Sequence, residues 1–154
     1  EIKKLRNHGQ SERFNIKQVG WNARMDSIQA EVLLNKLPHL DYWNKRRREI
    51  AHRYSAELND LVVTPINSAD SLHVYHQYVI MSPHRDKIQK ALADKNIQSR
   101  TYYPIPLHRT EPYMDRNSYP NSEIASINGL AIPVHQYLTD KEVSLIIKTI
   151  RNAI

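Results

Sequence analysis

Pro38 separates two apolar stripes, and that junction constrains the chain more than any other feature. Ahead of it Ile28, Val32, Leu33 and Leu37 recur at helical spacing. Beyond it Leu40, Trp43, Arg47, Ile50, Ala51, Tyr54 and Leu58 continue in steps of three and four to about residue 59. Residues so spaced share one face of an α-helix, so both stretches are predicted to be amphipathic helices, the second packing on a core. Proline has no N–H for a helix interior, so a kink or a fresh start is expected at 37–38. With 154 residues, 40% of them hydrophobic, the chain can bury those stripes in one compact domain, or one domain and a stub.

Past residue 60 the pattern changes. "LVVTPI" (61–66) is short and broken by proline, which predicts an extended exit before a polar loop at 67–71. "HVYHQYVIM" (73–81) is β-branched and aromatic and reads as a strand, 84–96 as a helix, and 97–105 as extended again. Residues 104–122 hold four of the eight prolines and read as an irregular surface excursion. A short helix at 123–130 ending near Gly129, a third strand at 130–134, and a helix at 140–153 capped by Thr139 and Glu142 complete an α+β fold. At the other end, Ile2 and Leu5 among Lys3, Lys4 and Arg6 look like the last turns of a helix stopped by Gly9, as in a piece of a longer chain. Asp26 and Gln29 are spaced as a capping-box pair for the helix that begins there.

The net charge of +6 and a pI near 9.5 suit an anionic partner, yet much of the excess lies in "NKRRRE" (44–49), within a helical pattern, and reads as a solvated face. No helix-turn-helix, RNP or zinc-finger pattern supports nucleic-acid binding. The absence of cysteine excludes disulfides and thiolate chemistry and fits a reducing, cytoplasmic setting. No apolar run approaches the roughly 20 residues that span a bilayer, so no membrane partner is expected. His73 and His76 sit three apart in a predicted strand and would point to opposite faces, which argues against a shared metal. With three glycines there is no phosphate-cradling glycine-rich loop, and no G-x-S-x-G elbow or paired carboxylates mark a hydrolase. Two polar-aromatic clusters remain: "GWNARM" (20–25), and "RTYYPIPLH" (100–108), whose prolines stiffen the backbone on both sides of Ile105.

The order "LRNHG", "GWNARMDSIQAEVLLNKLPHLDYWNKRRREIAHRY", "VYHQYVI", "YYPIPLH", "PYM" and "AIPVHQYLTDKEVSLIIKTIR" resembles the C-terminal part of the DegT/DnrJ/StrS family of sugar aminotransferases. The resemblance implies a fold type I aminotransferase, of which this chain supplies the end. Residues 1–25 would be the tail of the large cofactor domain, 26–60 the connecting helices, and 61–154 the small α+β domain, a small antiparallel sheet flanked by helices. It implies pyridoxal 5'-phosphate as cofactor, a homodimer, and transfer of an amino group from an amino acid, usually glutamate, to a keto group of a nucleotide-linked sugar. Asn22 would reach the cofactor phosphate of the partner subunit, and Arg24 would either assist an anionic group or brace the loop through a salt bridge. His108 would lie near the sugar, with Tyr102 and Tyr103 beside it. The lysine that binds the cofactor covalently belongs, in the family, upstream of Glu1, and no lysine here matches its motif. The polypeptide alone is therefore expected to contain no catalytic residue and to be inactive. The alternative is a non-catalytic regulatory or interaction module derived from the same family.

Overall fold

A computed structural model describes residues 1–68 and 70–154. The chain divides into two compact units, Glu1–Leu40 and Asp41–Ile154. The first holds helix α1 (Ile2–Leu5), strands β1 (Gln10–Glu12) and β2 (Asn15–Ile16), and helix α2 (Ser27–Lys36), followed by a 3-10 turn at Leu37–His39. Past α1 the chain turns through two left-handed residues, His8 at φ 58° and the expected Gly9 at φ 73°, and the Gly9 N–H donates to the Lys4 carbonyl at 2.9 Å. The hairpin of β1 and β2 pairs Gln10 with Ile16 and Glu12 with Asn15 around an irregularity. It was not expected, because only five residues form it and none follows a clear alternation.

Two expectations for α2 need correction. Asp26 is its N-cap residue, but the Asp26 side chain accepts no capping bond, so the exposed first turn is left to solvent. Nor does the helix bury a stripe: none of its residues is buried, and Ile28 is 81% exposed. At about 100° per residue, Ile28 and Val32 fall on one side of the helix while Leu33, Leu34 and Leu37 fall on the other. A helix apolar on both sides belongs to the interior of a larger body.

The second unit contains α3 (Leu40–Leu58) from Asp41 onward, β3 (Tyr78–Met81), α4 (Arg85–Ala93), α5 (Pro120–Asn128), β4 (Gly129–Ile132) and α6 (Asp140–Ala153). Strands β3 and β4 pair antiparallel, Tyr78 opposite Ile132 and Met81 opposite Gly129. Single bridges, Val63 to Met81 and Arg100 to Ala131, extend the pair on its two sides. The extended segments expected at 61–66 and 97–105 thus contribute one paired residue each. The strand expected at 73–81 shrinks to 78–81 because Tyr75 sits at φ 48°, off the β region. His73 and His76 therefore do not lie on a strand, and the two-face argument does not apply to them. Among the described residues no group of three or more His, Cys, Asp or Glu is placed to hold a metal. Helix α5 begins earlier than expected, with Pro120 in its first turn, where a fixed φ favours the helix and the missing N–H costs nothing.

The α3 stripe buries Ile50, Ala51, Tyr54 and Leu58 against β3, β4, α4 and α6, whose inward residues include Ile80, Leu130, Ile88 and Ile150. Leu40, at the start of α3, stays exposed. Two tyrosines cross this core with their rings 5.2 Å apart and both hydroxyls satisfied. Tyr54 donates to the Pro133 carbonyl at 2.9 Å, and the Tyr78 hydroxyl lies 2.7 Å from that of Ser55. Burial pushes the Tyr54 phenol well above its usual range. The capping box at α6 is present as expected: Thr139 N–H donates to Glu142 at 2.8 Å, and Glu142 N–H donates back to the Thr139 hydroxyl.

The basic run on α3 is less solvated than expected. Arg46 donates to the Leu138 carbonyl at 2.9 Å and to Asp140 at 2.7 Å, and Arg53 to the Ser144 hydroxyl at 2.8 Å, so both arginines tether α3 to the start of α6. Long side chains with apolar stems can lie along a helix contact and still deliver their charge at its edge. Among the described residues no helix is long and apolar enough to cross a membrane.

Ile150 is fully buried, whereas Ile66 is 92% exposed. Ile150→Ala is expected to cost about 2–5 kcal/mol in urea unfolding, and Ile66→Ala less than about 0.5 kcal/mol.

Candidate functional site

The loop ahead of α2 is held by its backbone. Trp21 N–H donates to the Leu5 carbonyl at 2.7 Å, His8 N–H to Trp21 at 2.9 Å, and Ala23 N–H to Arg6 at 2.9 Å. These bonds flank an antiparallel bridge between Asn7 and Asn22, which form a non-hydrogen-bonded pair. Gly20 permits the approach: a Cβ there would strike the Gly9 nitrogen and lie 2.7 Å from the Leu5 carbonyl oxygen. Its role is closeness; its backbone is not in the left-handed region.

Because the backbone does the holding, the side chains of Asn22 and Arg24 are left exposed, and neither makes a hydrogen bond or ion pair among the described residues. Bracing by an Arg24 salt bridge is therefore not what fixes this loop. An amide and a guanidinium two residues apart on a fixed backbone form a donor set that fits a phosphate: neutral N–H bonds from one, charge and a planar fork from the other.

The second cluster splits into two groups. Tyr102 and Tyr103 contact each other edge-on, with centroids 5.7 Å apart, and both are exposed, so neither packs into the core. His108 lies instead in a 3-10 turn, Leu107–Arg109, entered from Pro106. Its side chain is only 10% exposed. The imidazole Nε2 lies 3.1 Å from Glu123 Oε1, and the ring rests against Tyr119 with centroids 4.7 Å apart. Arg109 donates to the same Glu123 oxygen at 2.9 Å. Tyr119 in turn donates to Asp115 at 2.8 Å, and Asp115 N–H closes the loop on the His108 carbonyl at 2.9 Å. Arg109 and then His108 hold the Glu123 carboxyl below its ordinary range. Among the described residues no ring contact joins His108 to Tyr102 or Tyr103.

Tyr102 borders a cleft of about 730 Å³ together with Arg47, His76, Arg100 and His135. Arg47 secures the cleft's wall by donating to the Tyr75 and Val134 carbonyls, both at 3.3 Å, and to the Gln136 amide oxygen at 3.1 Å. The sequence held a signal for Arg47, a cation inside an apolar helical stripe. Nothing local pointed to Glu123 or Tyr119, which lie 15 and 11 residues beyond His108 in a different element.

The profile of the DegT/DnrJ/EryC1/StrS aminotransferase family matches residues 1–151. The chain belongs to that family. Among curated relatives, a dTDP-3-amino-3,6-dideoxy-alpha-D-galactopyranose transaminase of Aneurinibacillus thermoaerophilus is 34% identical over 149 residues, covering 95% of this chain and 41% of the relative. A pleiotropic regulatory protein of Geobacillus stearothermophilus is 35% identical, over 95% of this chain and 41% of its own length. The chain spans about two fifths of the length of these relatives. Among solved structures, DesV of S. venezuelae superposes with a TM-score of 0.85 at 29% identity, over 98% of this chain and 42% of that one. A family aminotransferase from Brucella abortus gives 0.84 at 33% identity, with the same coverage of each. The α+β fold, with its small antiparallel sheet flanked by helices, is that of the C-terminal part of these fold type I aminotransferases.

Gly20→Ala is expected to break the backbone pairing of the loop. In hydrogen exchange the Trp21 and Ala23 amides would lose protection by tenfold or more, while those of α6 would keep theirs.

Proposed function

We propose that this chain is the C-terminal portion of an aminotransferase that uses pyridoxal 5'-phosphate to move an amino group from an amino acid, glutamate in the first instance, to a keto group of a nucleotide-linked sugar. The observation that carries the reading is the loop at 20–24. Its backbone is held at Trp21 and Ala23 while the Asn22 and Arg24 side chains are free, in a family whose relatives carry sugar-transaminase names. When bound, the cofactor supplies the carbonyl that receives the amino group and the ring that spreads the resulting charge. Asn22 donates its amide to the phosphate of a cofactor held mainly by a partner subunit, and Arg24 adds charge at the same edge. His108 contacts the sugar, Tyr102 offers an exposed ring at the border of a cleft, and Tyr103 an exposed ring against Tyr102. The two-sided apolar surface of α2 is covered in the whole protein by the large domain and the second subunit of a homodimer. The lysine that links to the cofactor lies outside this chain, which by itself is inactive. The setting is the cytoplasm, where nucleotide-linked sugars are made.

A second reading, a regulatory module that keeps the dimer surface without the chemistry, is favoured by the name of the Geobacillus relative. Adding glutamate to the protein as its gene encodes it separates the two. An aminotransferase would show the cofactor's visible absorbance fall with glutamate and return with a nucleotide-linked keto sugar. Absent cofactor absorbance, or a band indifferent to both, would overturn the enzyme reading and leave the module.

A further inference from the structure

The network around His108 does more than hold the ring. We infer that Glu123 fixes the hydrogen-bonding face of His108, so that Nδ1 accepts a bond from a ligand hydroxyl or N–H and disfavours a phosphate or carboxylate oxygen. This rests on the reading of His108 as a sugar contact and specifies what that contact can recognise.

A neutral imidazole carries one donor and one acceptor nitrogen, and the partner of one decides the role of the other. Here the partner is an ionised carboxylate. Glu123 Oε1 takes bonds from the Arg109 guanidinium at 2.9 Å and from His108 at 3.1 Å, and it lies in the first turn of α5, where the helix dipole favours negative charge. An ionised carboxylate can only accept, so Nε2 must carry the proton. In the neutral ring Nδ1 then holds a lone pair. It has no hydrogen-bond partner among the described residues and is not one of the buried unsatisfied atoms, so it reaches solvent.

The ring cannot readily present its other edge. Rotation by half a turn would break the bond to Glu123, and the Tyr119 ring, itself anchored to Asp115, lies against the imidazole. In the neutral ring the outward nitrogen is thus a fixed acceptor. A sugar hydroxyl can donate to it, whereas an anionic oxygen would meet a lone pair. Such a group selects as much by what it repels as by what it binds.

The test is the protonation pattern of His108 in 15N-labelled, native-length protein at pH 8, read by long-range proton–nitrogen correlation. The expected result is a proton on Nε2 and a bare Nδ1. Glu123→Ala should shift this pattern toward the mixed tautomers of a free imidazole. Arg109→Ala, which removes the other partner of the same oxygen, should leave it unchanged and so control for general loosening of the loop. In steady-state kinetics, Glu123→Ala and His108→Ala should each raise KM for the keto sugar about tenfold with kcat within about twofold, and the double variant should cost little more than either. A proton on Nδ1, or a Glu123→Ala protein with the original pattern and KM, would overturn the inference. An unchanged KM in His108→Ala, with Nε2 protonated in the unsubstituted protein, would remove the sugar contact, and the ligand preference with it, while leaving the hold of Glu123 on the ring intact.

Discussion

Four residue pairs between β3 and β4 support everything else in the second unit. Their inward side chains, Tyr78, Ile80, Leu130 and Ile132, meet the buried stripes of α3, α4 and α6. Their outer edges set the positions of Val63 on one side and Arg100 on the other. A two-stranded sheet is marginal in water, so the ladder depends in turn on the helices that cover it. The tyrosines show this mutual dependence. Tyr54 from α3 spans the core to the carbonyl of Pro133, just past β4, and Tyr78 from β3 reaches back to Ser55 on α3. Arg47 ties the same helix to the turns at Tyr75 and Val134, so the rim of the cleft is anchored to the core rather than laid over it.

In each unit, the groups that face a ligand in the proposed reading are positioned by other groups that do not. In the first unit the positioning is done by backbone: three hydrogen bonds and a close approach at Gly20 set the path of residues 20–24, and the Asn22 amide is left over. In the second it is done by side chains: Glu123, Tyr119 and Asp115 restrain His108 and leave one nitrogen open. A backbone path or a ring orientation settled before a ligand arrives leaves less entropy to lose on binding, which is the physical value of both arrangements.

Sequence periodicity was informative where a face is buried within this chain. The stripe through Ile50, Tyr54 and Leu58, the Thr139–Glu142 capping box and the Gly9 stop were all legible, because each depends on residues within one or two helical turns. It misled for α2, where Ile28, Val32, Leu33 and Leu37 have helical spacing but surround the helix. It misled again at 73–77, where β-branched and aromatic residues outvoted the left-handed Tyr75. The site was legible in part. Asn22 and His108 were singled out through motifs, whereas Glu123 and Arg47 take their meaning from partners 14 to 89 residues away, which no local pattern records.

That the backbone of the 20–24 loop frees Asn22 for a phosphate is tested most directly by 31P NMR of cofactor bound to the native-length protein. In Asn22→Ala, the phosphate resonance is expected to move and cofactor affinity to fall by about tenfold, with the Trp21 and Ala23 amides still protected from exchange. An unmoved resonance and unchanged affinity, with that protection intact, would show that Asn22 faces no phosphate and would contradict the proposed cofactor contact.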